Sequence, residues 1–172
     1  MHDDLDVLGS ATSEEHQYLT FSVSKETFAI AVLDTKEIIE LTTITHVPQM
    51  QSFVAGVTNV RGKVIPVIDL GIRLGISDEK EENKTCIIVE TTHDNERLEV
   101  GLIIDAVDQV YAILPETTEI TPNFGTRVRK EFIARMAKVG ETFISILDLA
   151  RLLDINELSL NDFSHVTEQG AH

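Results

Sequence analysis

The sequence predicts an all-β fold made of two similar halves, and three observations support this prediction. Hydrophobic residues alternate with polar ones over several short runs, which is the period-2 pattern of half-buried strands. Turn residues separate these runs at short intervals, as they do in hairpins. Two strand–aspartate motifs of the first half recur in the same order in the second. These features favour two small packed barrels over a parallel α/β sheet, whose connections need helices of about ten residues or more.

The first half is predicted to contain two hairpins. Alternation begins near Tyr18 and resumes at Phe28 after a polar turn, which indicates the first hairpin. Two β-rich runs flank Arg61-Gly62, which indicates the second. Pro66 lies in the later of these runs and cannot donate a ladder hydrogen bond, so we expect it at a sheet edge or a bulge.

The second half is predicted to repeat this plan. Ala31–Asp34 matches Leu102–Asp105 at an offset of 71 positions, and Val67–Leu70 matches Ile146–Leu149 at an offset of 79. Strands are expected over 85–91, 98–104, 110–114 and 132–139, and a final hairpin is expected to turn at Gly140-Glu141. The run that becomes the last of these strands also fits helical spacing, but its position among strands favours a strand.

Short helices are predicted at three places along the chain. One covers about 34–38, one covers about 70–75 and ends at glycine, and a C-terminal helix runs from about Asp148 to Leu158. Four aspartates each follow a strand and precede a possible helix, so helix capping accounts for them without acid–base chemistry. They are Asp34, Asp69, Asp105 and Asp148.

Charge and composition restrict the classes of partner and location. The chain has 172 residues and a formal net charge of −15, which repels phosphate backbones and anionic lipids. One basic cluster exists, and we interpret it as a solvated face that balances charge: Arg127, Arg129, Lys130, Arg135 and Lys138. The sequence shows neither a signal peptide nor an apolar run of about 20 residues. We therefore expect a cytoplasmic protein without nucleic-acid binding or direct membrane insertion.

Catalytic and metal-binding patterns are missing from the sequence. The segment from Gly56 to Val64 resembles a phosphate-binding loop, but five residues separate its glycines instead of four. Val64 also replaces the hydroxyl residue that would hold magnesium. The six histidines show no ligand spacing with cysteine or carboxylate. We therefore expect no enzyme, no metal and no cofactor.

One constellation stands out, and it carries a family resemblance. The segment Asn59-Val60-Arg61-Gly62 is followed by Pro66-Val67-Ile68-Asp69-Leu70. This segment resembles the motif of the CheW family, in which an Asn-x-Arg-Gly turn precedes Pro-Val-x-Asp-Leu. The similarity extends from about Gln17 to Leu153 and includes the Tyr-Leu-x-Phe opening and the strand that ends at Asp105.

The resemblance implies a fold, a domain range and a function. The implied fold is two packed five-strand SH3-like β-barrels with short helices and a C-terminal helix. It implies a CheW-like domain of two interlocked barrel halves over 16–158, followed by a C-terminal tail over 159–172. Residues 1–15 are acidic, small and aperiodic, so we expect them to form a mobile tail. The implied function is a stand-alone, non-catalytic adaptor between the cytoplasmic tip of a chemoreceptor and the regulatory domain of the chemotaxis kinase CheA. Such an adaptor is expected to be monomeric by itself.

The resemblance also implies a receptor-binding groove. Glu37 and Arg61 match the family's charged pair near this groove, so we expect them within ion-pair reach of each other. Seven further residues match positions that line or support it: Thr35, Gly56, Gly62, Cys86, Gly101, Val107 and Val110. Thr35 and Cys86 depart from the aliphatic residues often found there. The alternative function is a ligand-binding sensory module, in which the groove between the barrels holds a small molecule.

Overall fold

The computed structural model describes residues 16–77, 85–93, 95–120 and 128–154. The predicted tails over 1–15 and 159–172 lie outside these residues. The described chain is all-β, with eleven strands and two short α-helices, so the predicted fold class is confirmed. The strands are β1 Gln17–Val23, β2 Glu26–Ala31, β3 Thr35–Glu40, β4 Val54–Val60, β5 Lys63–Asp69, β6 Thr85–His93, β7 Glu96–Ile104, β8 Ala106–Ala112, β9 Thr118–Glu119, β10 Ile133–Val139 and β11 Thr142–Leu147.

The strands form two sheets that interlock the two halves of the chain. Sheet A has the order β8-β1-β2-β11-β10-β9, and sheet B has the order β3-β6-β7-β5-β4. Without β9, sheet A has the same arrangement as sheet B. Each begins with an edge strand, which is β8 in sheet A and β3 in sheet B, followed by a hairpin, which is β1–β2 or β6–β7. The two strands of a second hairpin complete each sheet, β11 and β10 in sheet A and β5 and β4 in sheet B. The repeat seen in the sequence is therefore a repeat of structure. Sheet A takes one hairpin from the first half and four strands from the second, and sheet B takes one hairpin from the second half and three strands from the first.

The hydrophobic core has three layers. The largest cluster takes buried residues from both sheets, such as Phe21 and Ile30 from sheet A and Ile87 from sheet B. A second cluster, including Cys86, covers the other face of sheet B, and a third, including Ile144, covers the other face of sheet A. Successive side chains of a strand point to opposite faces, so neighbours such as Cys86 and Ile87 belong to different layers.

The two α-helices begin where the sequence predicts them. Helix α1 covers Leu70–Leu74, and its N-terminus is capped by Asp69, whose Oδ1 accepts from the N–H of Ile72 at 3.2 Å. It ends at Gly75, which has a left-handed backbone. Helix α2 covers Leu149–Leu152 and is capped in the same way by Asp148. The prediction that this helix runs to Leu158 is wrong, since it ends at Leu152.

The predicted helix over 34–38 is wrong, because these residues belong mostly to strand β3. A 3₁₀ turn covers Val32–Asp34, and from Thr35 onward half-buried and exposed residues alternate, which is the pattern of a strand at a sheet edge. Asp34 therefore has no α-helix to cap. Asp105 does not cap a helix either; its Oδ2 accepts from the N–H of Ser24 at 2.8 Å.

Pro66 is also placed differently from the prediction. It lies in β5, which is an interior strand of sheet B between β7 and β4. Its partner in β4 is Val57, which exchanges both backbone hydrogen bonds with Thr45 on its other side at 2.8 Å. The ladder between β5 and β7 begins only at Val67. No ladder bond from Pro66 is therefore required at this position.

The strands of the second half agree with the predictions within a few residues. The strand expected over 132–139 is β10, and it turns into β11 at Gly140-Glu141 as expected. The strand expected around 110–114 lies earlier, at 106–112. The ambiguous run thus forms a strand, because its pairing with β11 and β9 overrides its helical spacing.

Candidate partner-binding site

The site is built on the tight turn between β4 and β5. Val60 and Lys63 form the last pair of the hairpin, which leaves Arg61 and Gly62 as a two-residue loop. Their φ angles are 52° and 82°, and positive φ at both positions is the geometry that matches the twist of a hairpin. The N–H of Gly62 donates to Oδ1 of Asn59 at 2.9 Å. The turn therefore presents Arg61 from a fixed backbone.

Arg61 forms a two-pronged ion pair with Glu37. Its Nη1 donates to Oε2 of Glu37 at 2.8 Å, and its Nη2 donates to Oε1. The planar guanidinium matches a carboxylate in this geometry. The hydrogen bond from Arg61 lowers the pKa of Glu37, and the same bond raises the pKa of Arg61. The predicted pairing of the two residues is confirmed.

The ion pair joins the two opposite edges of sheet B. Glu37 lies on β3 at one edge, and Arg61 follows β4 at the other. Side chains at the two ends of a five-stranded sheet meet only if the sheet curls on itself, as it does in a barrel. The local geometry of the site thus depends on the curvature of the whole sheet.

Three of the predicted groove residues are buried and can only support the site. A Cβ at Gly56, where φ is 147°, would lie 2.2 Å from the backbone oxygen of Thr45. A Cβ at Gly101 would lie 2.6 Å from Sγ of Cys86. Cys86 is fully buried, and burial raises the pKa of its thiol to about 12. These residues set how closely the strands pack beneath the site.

The other predicted residues are divided between the two sheets. Thr35 begins β3 and is half-buried, with its hydroxyl donating to the carbonyl of Ala31 at 3.2 Å. Gly62 is exposed beside Arg61. Val107 and Val110 lie on β8, the edge strand of sheet A. Val107 packs against the central core, whereas Val110 is exposed.

Further ion pairs at the same end of sheet B were missed by the sequence analysis. Lys63 at the start of β5 pairs with Glu99 of β7 at 2.9 Å. Glu90 of β6 lies 3.6 Å from Lys36 of β3 and 3.8 Å from Arg97 of β7. Of these pairs, only Glu90–Arg97 lies within one hairpin, so the register of β6 with β7 is a signal that would have revealed it.

The geometry supports binding of a protein partner better than binding of a small molecule or a metal. The space between the sheets is filled by the central hydrophobic cluster, so the alternative of a pocket between barrels finds no support in the described residues. Among these same residues, no group of three or more His, Cys, Asp or Glu is arranged to hold a metal. No helix in the described part of the chain is long and apolar enough to cross a membrane.

Comparisons with known proteins agree with this fold and site. The family model described as the CheW-like domain matches residues 17–157. A chemotaxis protein CheW from Thermotoga maritima is 32% identical over 144 residues, which cover 82% of this chain and 89% of the relative. One from Klebsiella aerogenes is 27% identical over 146 residues, covering 85% and 86%.

A solved structure shows the same similarity. The crystal structure of the scaffolding protein TtCheW from Thermoanaerobacter tengcongensis is 32% identical in sequence, with a TM-score of 0.70. The match covers 83% of this chain and 95% of that one. The two packed β-sheets and the turn that presents Arg61 thus place this chain in a class of β-sheet scaffold domains. The chain belongs to the CheW-like domain family.

Proposed function

We propose that this chain is a non-catalytic chemotaxis adaptor that couples the cytoplasmic tip of a chemoreceptor to the regulatory domain of the kinase CheA. Membership of the CheW-like domain family and the names of its relatives support the chemotaxis role. The observation that carries the receptor-binding part is the Arg61–Glu37 pair, held in two-pronged geometry on a rigid turn and open to solvent.

The proposed receptor groove has this ion pair at its centre. Thr35 and Gly62 lie beside the pair, and the buried Gly56, Cys86 and Gly101 fix the backbone beneath it. We propose that the groove extends to β8 of sheet A, where Val110 is exposed and Val107 packs against the central core. Side chains from both sheets give a partner one polar anchor and one apolar contact, a combination that is common in protein interfaces.

The pair is better suited to recognition than to stabilising the fold. The side chain of Arg61 is 71% exposed, and ion pairs between exposed groups add little to stability because water screens them. A partner that excludes this water would strengthen the interactions of the same guanidinium.

Replacement of Arg61 tests this proposal. Arg61→Ala is expected to leave the melting temperature almost unchanged and to weaken binding of a receptor cytoplasmic fragment, measured by calorimetry. Arg151→Ala, which removes an exposed arginine on α2 of the other half, is the matched control and is expected to bind like the wild type. A large loss of thermal stability with intact receptor binding would instead assign Arg61 a structural role.

A further inference from the structure

The ion pairs of sheet B follow one another around one end of the sheet. They cross each step of the strand order from β3 to β6, from β6 to β7 and from β7 to β5, and the turn after β4 closes the circuit back to β3. We call this set the collar. Its members are Lys36, Glu37, Arg61, Lys63, Glu90, Arg97 and Glu99.

The two signs of charge in the collar lie at different depths. The side chains of the three glutamates are 15–25% exposed, whereas those of the four basic residues are 45–79% exposed. The carboxylates thus form an inner layer, and the ammonium and guanidinium groups form an outer one. Within the collar the exposed layer is therefore positive, although the whole chain carries −15.

The inner carboxylates hold the outer cations in place. Glu90 and Glu99 lie directly opposite each other in the β6–β7 ladder, where two like charges repel. The cations relieve this repulsion, since Lys36 and Arg97 reach Glu90 and Lys63 reaches Glu99. Arg61 belongs to the same group electrostatically. Its pKa is raised first by the hydrogen bond and charge of Glu37, and further by the charge of Glu99.

From this arrangement we propose that the collar is a docking surface for an acidic protein segment, whose carboxylates contact Lys63 and Arg97 as well as Arg61. The inference rests on the proposed function, because the segment is then part of the receptor that occupies the groove beside Arg61. Basic side chains that are already held by the inner carboxylates lose less conformational freedom on binding than free side chains do. The collar therefore extends the site from Arg61 along one end of sheet B.

The experiment measures the affinity of a receptor cytoplasmic fragment at several salt concentrations. Lys63→Met and Arg97→Met each remove one outer cation while leaving Arg61 in place. Each is expected to weaken binding about two- to fivefold, mainly through slower association, and to reduce the salt dependence. Lys138→Met is the charge-matched control, because Lys138 lies on β10 of sheet A over the ring of Phe143. It is expected to leave both quantities unchanged.

The outcomes separate this inference from the proposed function. If the wild type does not bind the fragment, the proposed function itself fails. If the wild type binds and the two collar variants match it in affinity and salt dependence, the collar is not a docking surface. An equal effect of Lys138→Met would mean that the overall charge of the protein controls binding, and this result would also contradict the proposal that the collar is a docking surface. Melting temperatures of all variants must stay near that of the wild type, and circular dichroism checks this.

Discussion

At the scale of single residues, two glycines of sheet B share a positive φ and yet face different constraints. Gly56 is crossed by the backbone of Thr45, so that an added Cβ would lie 2.2 Å from an oxygen that cannot move aside. Gly62 lies at the hairpin tip, where an added Cβ meets nothing within 4 Å. Gly56 is required both because a side chain has no space there and because its φ is positive, whereas Gly62 is required only because its φ is positive.

These two glycines give a matched prediction. Gly62→Ala is expected to lower the free energy of unfolding by about 1 kcal/mol, because only the strained backbone opposes it. Gly56→Ala is expected to cost several times more, since the strand must also move away from Thr45. Urea unfolding of both variants checks this. Equal losses would show that the contact with Thr45 is not a constraint.

The residues of the site differ in how far sequence alone could predict them. The Arg61–Glu37 pair was predictable, because the motif places the arginine in a turn and the family resemblance supplies its partner. The Lys63–Glu99 pair was not. It depends on the parallel alignment of β5 with β7, which joins residues 36 positions apart and leaves no local pattern.

At the scale of elements, β3 shows how local signals mislead. Asp34, as a possible helix cap, indicates a helix over 34–38, yet pairing with β6 makes this segment a strand. Successive residues of β3 alternate between half-buried and exposed, and none is fully buried, because β3 lies at the edge of the sheet. The two helices whose starts were predicted correctly share a stronger signal, a strand with an aspartate at or directly after its end, and the side chain of this aspartate caps the next turn.

The cap of α2 is open to a direct test. Asp148→Ala removes the acceptor for the N–H of Arg151 and is expected to destabilise the domain by about 1 kcal/mol. Asp148→Asn keeps an acceptor oxygen and is expected to cost clearly less. Thermal unfolding of the two variants makes the comparison. If both lose the same stability, the negative charge rather than the cap is what matters.

At the scale of the whole molecule, the interlocking of the halves is the main feature. The offsets of 71 and 79 positions revealed the repeat, but a repeat does not state which copy pairs with which. The hydrogen bonds between β2 and β11 and between β5 and β7 settle this, and both are parallel pairings between distant strands. Such long-range pairing is a property of the folded chain rather than of any segment.

Interlocking predicts that neither half folds alone. A fragment covering 16–77 lacks four of the six strands of sheet A, and a fragment covering 85–154 lacks three of the five strands of sheet B. Each is expected to show no cooperative unfolding by circular dichroism, and mixing the two is expected to restore it. A fragment that unfolds cooperatively by itself would contradict the shared core.

The central claim is that the molecule bridges two partners by binding them on separate surfaces. We propose that the receptor occupies the groove beside Arg61 and that the kinase regulatory domain docks on another face of the first of the two barrels. This contact is barrel against barrel, with apolar residues at its centre. Interfaces of this kind commonly bury about 1,200–2,000 Å² each. The 10104 Å² of accessible surface of this chain has room for two of them.

A competition titration tests this claim most directly. A labelled kinase regulatory domain is bound to the full chain, and unlabelled receptor cytoplasmic fragment is added to saturation while fluorescence anisotropy is recorded. Separate surfaces predict that the anisotropy does not fall, because the kinase domain stays bound and a ternary complex forms. Displacement of the kinase domain with simple competitive behaviour would mean one shared site, and the chain would then be no bridge.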